Sequence, residues 1–259
     1  MRWIPTLLLL AGCALLNGRK SDPDPADGAR QAARDALMER HKPGGVGRAY
    51  AALEAVLELD PGDMEAAGWL ARLEWTLAEA ARAGLPEDDF PARAHYLNGV
   101  ERAVGCLQSN SGFNAAFAAD RGRLTPFNLA TLPPEALPCL IWATANVLDL
   151  AELRGPGASL SLVDLPLLLA RAKILNGDQP DAWLLWLNGR LVLGLEPPDT
   201  DAGYQMLSKA SRLEPGFLRF TADLIWAFPG AGDGLPPLDP DPNPWENRLV
   251  RARFAAPTP

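Results

Sequence analysis

Few of the residues that could do chemistry stand in working arrangements. The two histidines, His41 and His95, are far apart, and no C-x-x-C, H-E-x-x-H, G-x-S-x-G or Walker pattern places a metal, a nucleophile or a phosphate. Asp239, Asp241 and Asn243 alternate as calcium-loop ligands do, but prolines separate them and the glycine of the sixth position is missing, which favours a solvated turn. Gly230-Ala231-Gly232-Asp233-Gly234 lies between prolines, with no strand before it and no helix start after it to cradle a phosphate. The acidic trio Glu87-Asp88-Asp89 is placed to complement a helix dipole. What remains is binding. Trp142, Asn146, Trp183, Trp186 and Asn188 form the candidate ligand platform, because indoles supply flat apolar area and amides fix one polar end of a small molecule. The competing reading places the same tryptophans in the core, with Asn146 satisfying a buried backbone group. No catalytic residue, metal site or cofactor is expected, and the chain reads as a non-enzyme.

The elements that must position these residues are helices. Ala and Leu are abundant and β-branched residues scarce, so propensity is helical almost throughout. The organising stretch is Asp181–Leu193 and Asp201–Leu213, two short helices joined by the turn Glu196-Pro197-Pro198-Asp199-Thr200. Gly203, Leu207, Ala210 and Leu213, followed by Pro215, have the order of a tetratricopeptide second helix. The small residues Gly203 and Ala210 mark where the first helix approaches closely. A similar ending occurs earlier, where Ala49, Leu53, Val56, Leu57 and Leu59 precede Asp60-Pro61-Gly62. Further helices are expected at Ala29–His41, Val46–Leu59, from an Asp63 cap to Ala83, at Ala92–Leu107, Glu135–Leu153 and Leu160–Asn176 (with Asp164 as cap), and at Phe217–Phe228. Phe113 to Thr131 reads as a short helix and an ordered turn. The total is ten or eleven, an all-α chain of divergent tetratricopeptide-like hairpins stacked in a solenoid.

Nearly half of the 259 residues are hydrophobic, enough for a substantial core, and the net charge of −8 without a Lys/Arg cluster argues against nucleic acid. Met1-Arg2, the apolar run Trp3 to Leu10, and Leu10-Ala11-Gly12-Cys13 resemble a bacterial lipobox. That resemblance implies a signal peptide over 1–12, cleavage before Cys13, and acylation of its sulfur and its new amino group. Several acyl chains anchor stably where one does not. Ala14 follows in place of the Asp of inner-membrane retention, so the implied site is the outer membrane, facing the periplasm. Residues 13–28 read as the lipidated cysteine and a polar tether, 29–228 as the helical domain, and 229–259 as a Pro-rich segment that wraps the surface and ends in a short helix at Trp245–Phe254. Cys106 and Cys139 would then sit in a compartment that permits disulfides, although both also lie in helical apolar patterns where free cysteine is a small hydrophobe.

Three stretches resemble the TRAP-transporter-associated T-component lipoproteins, the TatT-like family. They are Ala92-Arg93-Ala94-His95-Tyr96-Leu97; Glu135-Ala136-Leu137-Pro138-Cys139-Leu140-Ile141-Trp142-Ala143-Thr144-Ala145-Asn146; and Ala170-Arg171-Ala172 through Trp183, Gly189 and Leu193 to the helix of Gly203–Leu213. Together with the lipobox and the hairpin order, the resemblance covers Ala29 to Phe228. It implies an accessory that works beside a periplasmic solute-binding protein of a TRAP uptake system. It also implies a homo-oligomer around a central pore, and binding or passing on of a small hydrophobic ligand. The alternative is a structural tetratricopeptide scaffold of an envelope assembly. Cys13→Ser is expected to release the protein from the membrane fraction; retention of the variant there, with no acyl mass on the wild-type chain, would remove the anchor.

Overall fold

The computed structural model describes residues 24–86, 89–153, 160–194, 197–232 and 234–255. Cys13, the signal segment, Glu87, Asp88, Glu196 and Asp233 lie outside these. The described residues form twelve α-helices and no strand: α1 (Pro25–Met38), α2 (Gly45–Leu59), α3 (Met64–Arg82), α4 (Ala92–Ser109), α5 (Ser111–Ala119), α6 (Pro126–Leu129), α7 (Leu137–Glu152), α8 (Leu165–Asn176), α9 (Ala182–Leu193), α10 (Thr200–Leu213), α11 (Leu218–Ala227) and α12 (Pro244–Ala255). Short 3-10 turns at Pro134–Ala136 and Leu162–Asp164 lead into α7 and α8. None of these helices is long and apolar enough to cross a membrane.

Helix starts follow local chemistry. Asp63, Asn110, Asp181 and Asp199 each accept a backbone N–H from the first turn of the helix that follows. α1 begins four residues before the expected start at Ala29, because Asp24 accepts the Ala26 N–H at 3.0 Å and Pro25 needs no N–H partner at the first position. The expected tether to residue 28 is therefore shorter. Asp164 does not cap α8 itself; it exchanges bonds with Ser161 across the preceding 3-10 turn.

Helices pair as antiparallel neighbours: α1 with α2, α3 with α4, α9 with α10. The buried residues of α2, Ala49, Leu53 and Val56, have the same spacing as Gly203, Leu207 and Ala210 of α10. Both helices also stop alike, with the Asp60 N–H on Val56 O and the Glu214 N–H on Ala210 O. A Cβ on Gly203 would lie 2.6 Å from the Leu193 side chain, so glycine is what lets α10 meet α9. The largest core cluster runs from Trp75 of α3 through α4, α7, α8, α9 and α10 to Phe220 of α11.

Two features tie this stack together. Cys106 of α4 and Cys139 of α7 form a buried disulfide, which settles the alternative between bridge and free thiols. Closing a loop between residues 33 apart constrains the unfolded chain by about 3–4 kcal/mol on an entropic account. The Pro-rich segment ends in the expected short helix, which spans Pro244–Ala255 and packs into the body. α12 returns to α3, burying Trp245 and Leu249 against Val46, Leu77 and Ala80, and Asn247 caps the start of α11 through the Leu218 N–H at 2.9 Å. Ala210→Leu is expected to lower stability by about 1–3 kcal/mol through overpacking of the α9–α10 seam; an unchanged denaturation midpoint would show this face to be open.

Candidate functional site

The five residues of the expected ligand platform separate into three places. Trp142 of α7 and Trp183 and Trp186 of α9 join Trp75 of α3 in one aromatic cluster, with centroid separations of 4.8 Å for Trp142–Trp183 and 5.6 Å for Trp75–Trp142. Phe217 and Phe220 extend it. Trp186 is fully buried and donates its indole N–H to Asp223 at 2.7 Å, out of a ligand's reach. Asn146 is likewise interior. Its amide donates to the carbonyls of Ala71 (3.2 Å) and Trp142 (2.8 Å), and it nests against Gly99, where a Cβ would lie 2.2 Å from the amide oxygen. Its position joins α3, α4 and α7. Asn188 points to another side of α9, donating to Leu184 O and lining a cleft with Lys173, Met206 and Lys209. Trp142 and Trp183 alone share a groove.

That groove lies where α3, α7 and α9 meet, with a volume of about 220 Å³, bordered by Trp69, Arg72, Ile141, Trp142 and Trp183. Gly68 lets Pro138 close against α3. The Arg72 guanidinium carbon stands 4.6 Å from the Trp69 ring centroid, 5.2 Å from Trp142 and 5.3 Å from Trp183, within cation–π range of all three.

Beneath the aromatic cluster lies a network of charge that no motif announces, buried at Glu79, Asp149, Arg219 and Asp223 and reaching the surface at Glu152. Four arginines, Arg82 of α3, Arg190 of α9, Arg219 of α11 and Arg253 of α12, meet four carboxylates, Glu79 of α3, Asp149 and Glu152 of α7, and Asp223 of α11. Arg219 is 2% exposed and touches three of the four: Glu79, Asp223 at 3.0 Å and Asp149 at 3.4 Å. Asp149, fully buried, accepts Arg190 at 2.7 Å and the Trp75 indole N–H at 2.6 Å. Tyr96 donates to Glu79. Burial opposes ionisation of Asp149, but Arg190 and Arg219 outweigh it and hold its carboxyl well below the usual range. For Arg219, burial likewise opposes the charge, and Asp223, Glu79 and Asp149 more than restore it.

A second polar group lines the seam of α2, α3 and α4. Glu74 accepts the Tyr50 hydroxyl at 2.8 Å and lies 2.8 Å from His95 Nδ1, while Arg102 donates to Tyr50 at 2.9 Å and Glu54 at 2.8 Å. Burial, then Glu74, pushes the Tyr50 phenol up to about 12, so it stays a neutral donor. Two adjoining clefts of about 480 and 540 Å³ share Tyr50, Glu74 and Asn98. A carboxylate-oriented histidine is half of a hydrolytic constellation. The aliphatic hydroxyl of these linings, Ser109, lies four turns further along α4, roughly 20 Å away at 1.5 Å per residue, beyond the reach of His95.

Comparisons with family models, with characterised proteins and with solved structures returned no match.

Arg219→Met is expected to cost about 3–5 kcal/mol, because it leaves Glu79, Asp149 and Asp223 buried with less compensation. The pH response follows from Asp149, whose folded pKa is depressed. Its contribution is present above the unfolded value of about 3.9 and lost as pH falls below that towards the folded one. Urea unfolding of both proteins at pH 7 and pH 3 reads both effects; a loss under 1 kcal/mol at pH 7 would contradict the network's role.

Proposed function

We propose that this chain is a periplasm-facing lipoprotein accessory of a TRAP-type uptake system, made of divergent tetratricopeptide-like hairpins and held to the outer membrane through Cys13. Its work is to bind the system's solute-binding protein, and it does no chemistry of its own. The observation that carries this reading is the pair of clefts along α2, α3 and α4. Their polar side chains, Tyr50, Glu54, Glu74 and Arg102, are already fixed by one another. A partner that docks there meets a pre-organised surface, so little ordering entropy opposes binding. Helical hairpins suit this work because their grooves are built from packed helices and no loop has to fold on contact.

The location has separate support. A buried disulfide between Cys106 and Cys139 fits an oxidising compartment, where such bonds form and persist. The TatT-like resemblance supplies the partner class, and the small apolar ligand expected of that class has a matching surface in the groove of Trp69, Trp142 and Trp183.

A photo-crosslinking amino acid at exposed Asn98, in the intact lipoprotein in its own cells, is expected to trap a solute-binding protein. The same probe at Gln205, on the outer side of α10, is expected to trap none. Recovery of envelope-assembly factors alone, or equal capture at both positions, would overturn the receptor reading in favour of a scaffold.

A further inference from the structure

The groove of Trp69, Trp142 and Trp183 holds a cation that the protein satisfies only in part. Arg219 touches three carboxylates and Arg190 three, whereas Arg72 has one hydrogen bond, a long one of 3.4 Å to Glu246 Oε1. That oxygen is already taken by Arg40, at 2.7 and 3.1 Å. A guanidinium carries five N–H donors. Those left over on Arg72 have no protein acceptor among the described residues and stand among three indole rings. Two arginines thus share one carboxylate oxygen beside an aromatic groove. The surrounding charges do not correct this. Glu65 on the groove's lip is drawn to Arg34 at 3.9 Å, and Glu214 is near enough to act on Arg72 only through space. Burial disfavours the Arg72 charge and Arg40 opposes it further, and the pull of Glu246 and Glu214 does not make up the difference.

We propose that this groove binds an organic anion, with an apolar tail against Trp69, Trp142 and Trp183 and a carboxylate on the unused N–H groups of Arg72. The planar fork of a guanidinium matches a carboxylate, and the bond is strongest where water is excluded. The indole faces supply the apolar wall, and a volume of about 220 Å³ admits a ring or a short acyl chain. A neutral amide of the same shape fills the wall equally well but brings no charge to balance Arg40 and Arg72. The inference rests on the binding reading above and adds the class of ligand.

The test uses the full chain and three matched pairs as probes: phenylacetate, 4-phenylbutyrate and octanoate, each beside its primary amide. Binding is followed by quenching of tryptophan fluorescence and by titration calorimetry. At least one acid is expected to bind at least tenfold more tightly than its amide. Arg72→Gln is expected to erase that preference while leaving the amide unchanged, and Trp183→Leu to weaken acid and amide together. Equal affinity of acid and amide for the wild-type protein, or no binding of any probe, overturns the proposal without recourse to a variant. So does an acid preference that survives in Arg72→Gln. Capture of a solute-binding protein at Asn98 together with failure of all six probes would remove the anion site and leave the accessory role standing.

Discussion

The four arginines and four carboxylates under the tryptophan cluster are the constraint on which the rest of the molecule depends. They come from α3, α7, α9, α11 and α12, and no two of these helices are joined by fewer than several residues of turn. Glu79, Asp149, Asp223 and Arg219 are buried, and each is tolerable in the interior only when its partners from the other helices have arrived. An isolated carboxylate or guanidinium there would face a desolvation cost of several kcal/mol, so partial assemblies of these helices are disfavoured. Such a network adds little net stability over an apolar core of the same shape. Its effect is on which arrangement is allowed: Glu79 accepts from Arg219 and Arg253, distant in sequence, only when α11 and α12 have both come within side-chain reach of α3.

The tryptophans serve that network from above. Trp75 and Trp186 turn their indole N–H groups down onto Asp149 and Asp223, and their faces lie against the arginines, with Arg190 5.1 Å and Arg219 5.8 Å from the Trp186 centroid. Aromatic area, hydrogen bonding and cation–π attraction thus act on the same side chains. Trp69, Trp142 and Trp183 hold Arg72 in a related manner at the rim, but there the carboxylates are fewer. The contrast between the balanced interior and the under-balanced rim is what gives the groove its chemical character.

The closing of the chain by α12 changes how the hairpins relate. In a simple stack each hairpin meets only its neighbours and the ends are independent. Here Arg40, just after α1, pairs with Glu246 of α12 at 2.7 Å, and Arg253 reaches Glu79 at 3.0 Å. With the Cys106–Cys139 bridge across α4 and α7, the hairpins are held by long-range ties as well as by neighbour packing.

Helix content, most helix starts, the α9–α10 hairpin and the glycine at its seam were legible in the sequence, because caps, period and small-residue spacing act within a few residues. Asp63 and Asp181 cap where their positions require, and Gly203 meets Leu193 as the small-residue spacing of α10 anticipates. The site was legible only in part. The aromatic platform was visible as a set of tryptophans, but which of them turn inward depends on the neighbours of α9: Trp186 finds Asp223, Trp183 finds the groove, and Asn188 leaves by another side. The charge network had no signal at all, since Glu79, Asp149, Arg190, Arg219 and Arg253 are scattered along the chain and each alone resembles an ordinary helix-surface charge. Local order was decided by the sequence because its causes are local. Burial of charge, the pairing of two cysteines and the unfinished bonding of Arg72 were decided by tertiary structure, because each depends on which distant groups share one low-dielectric space.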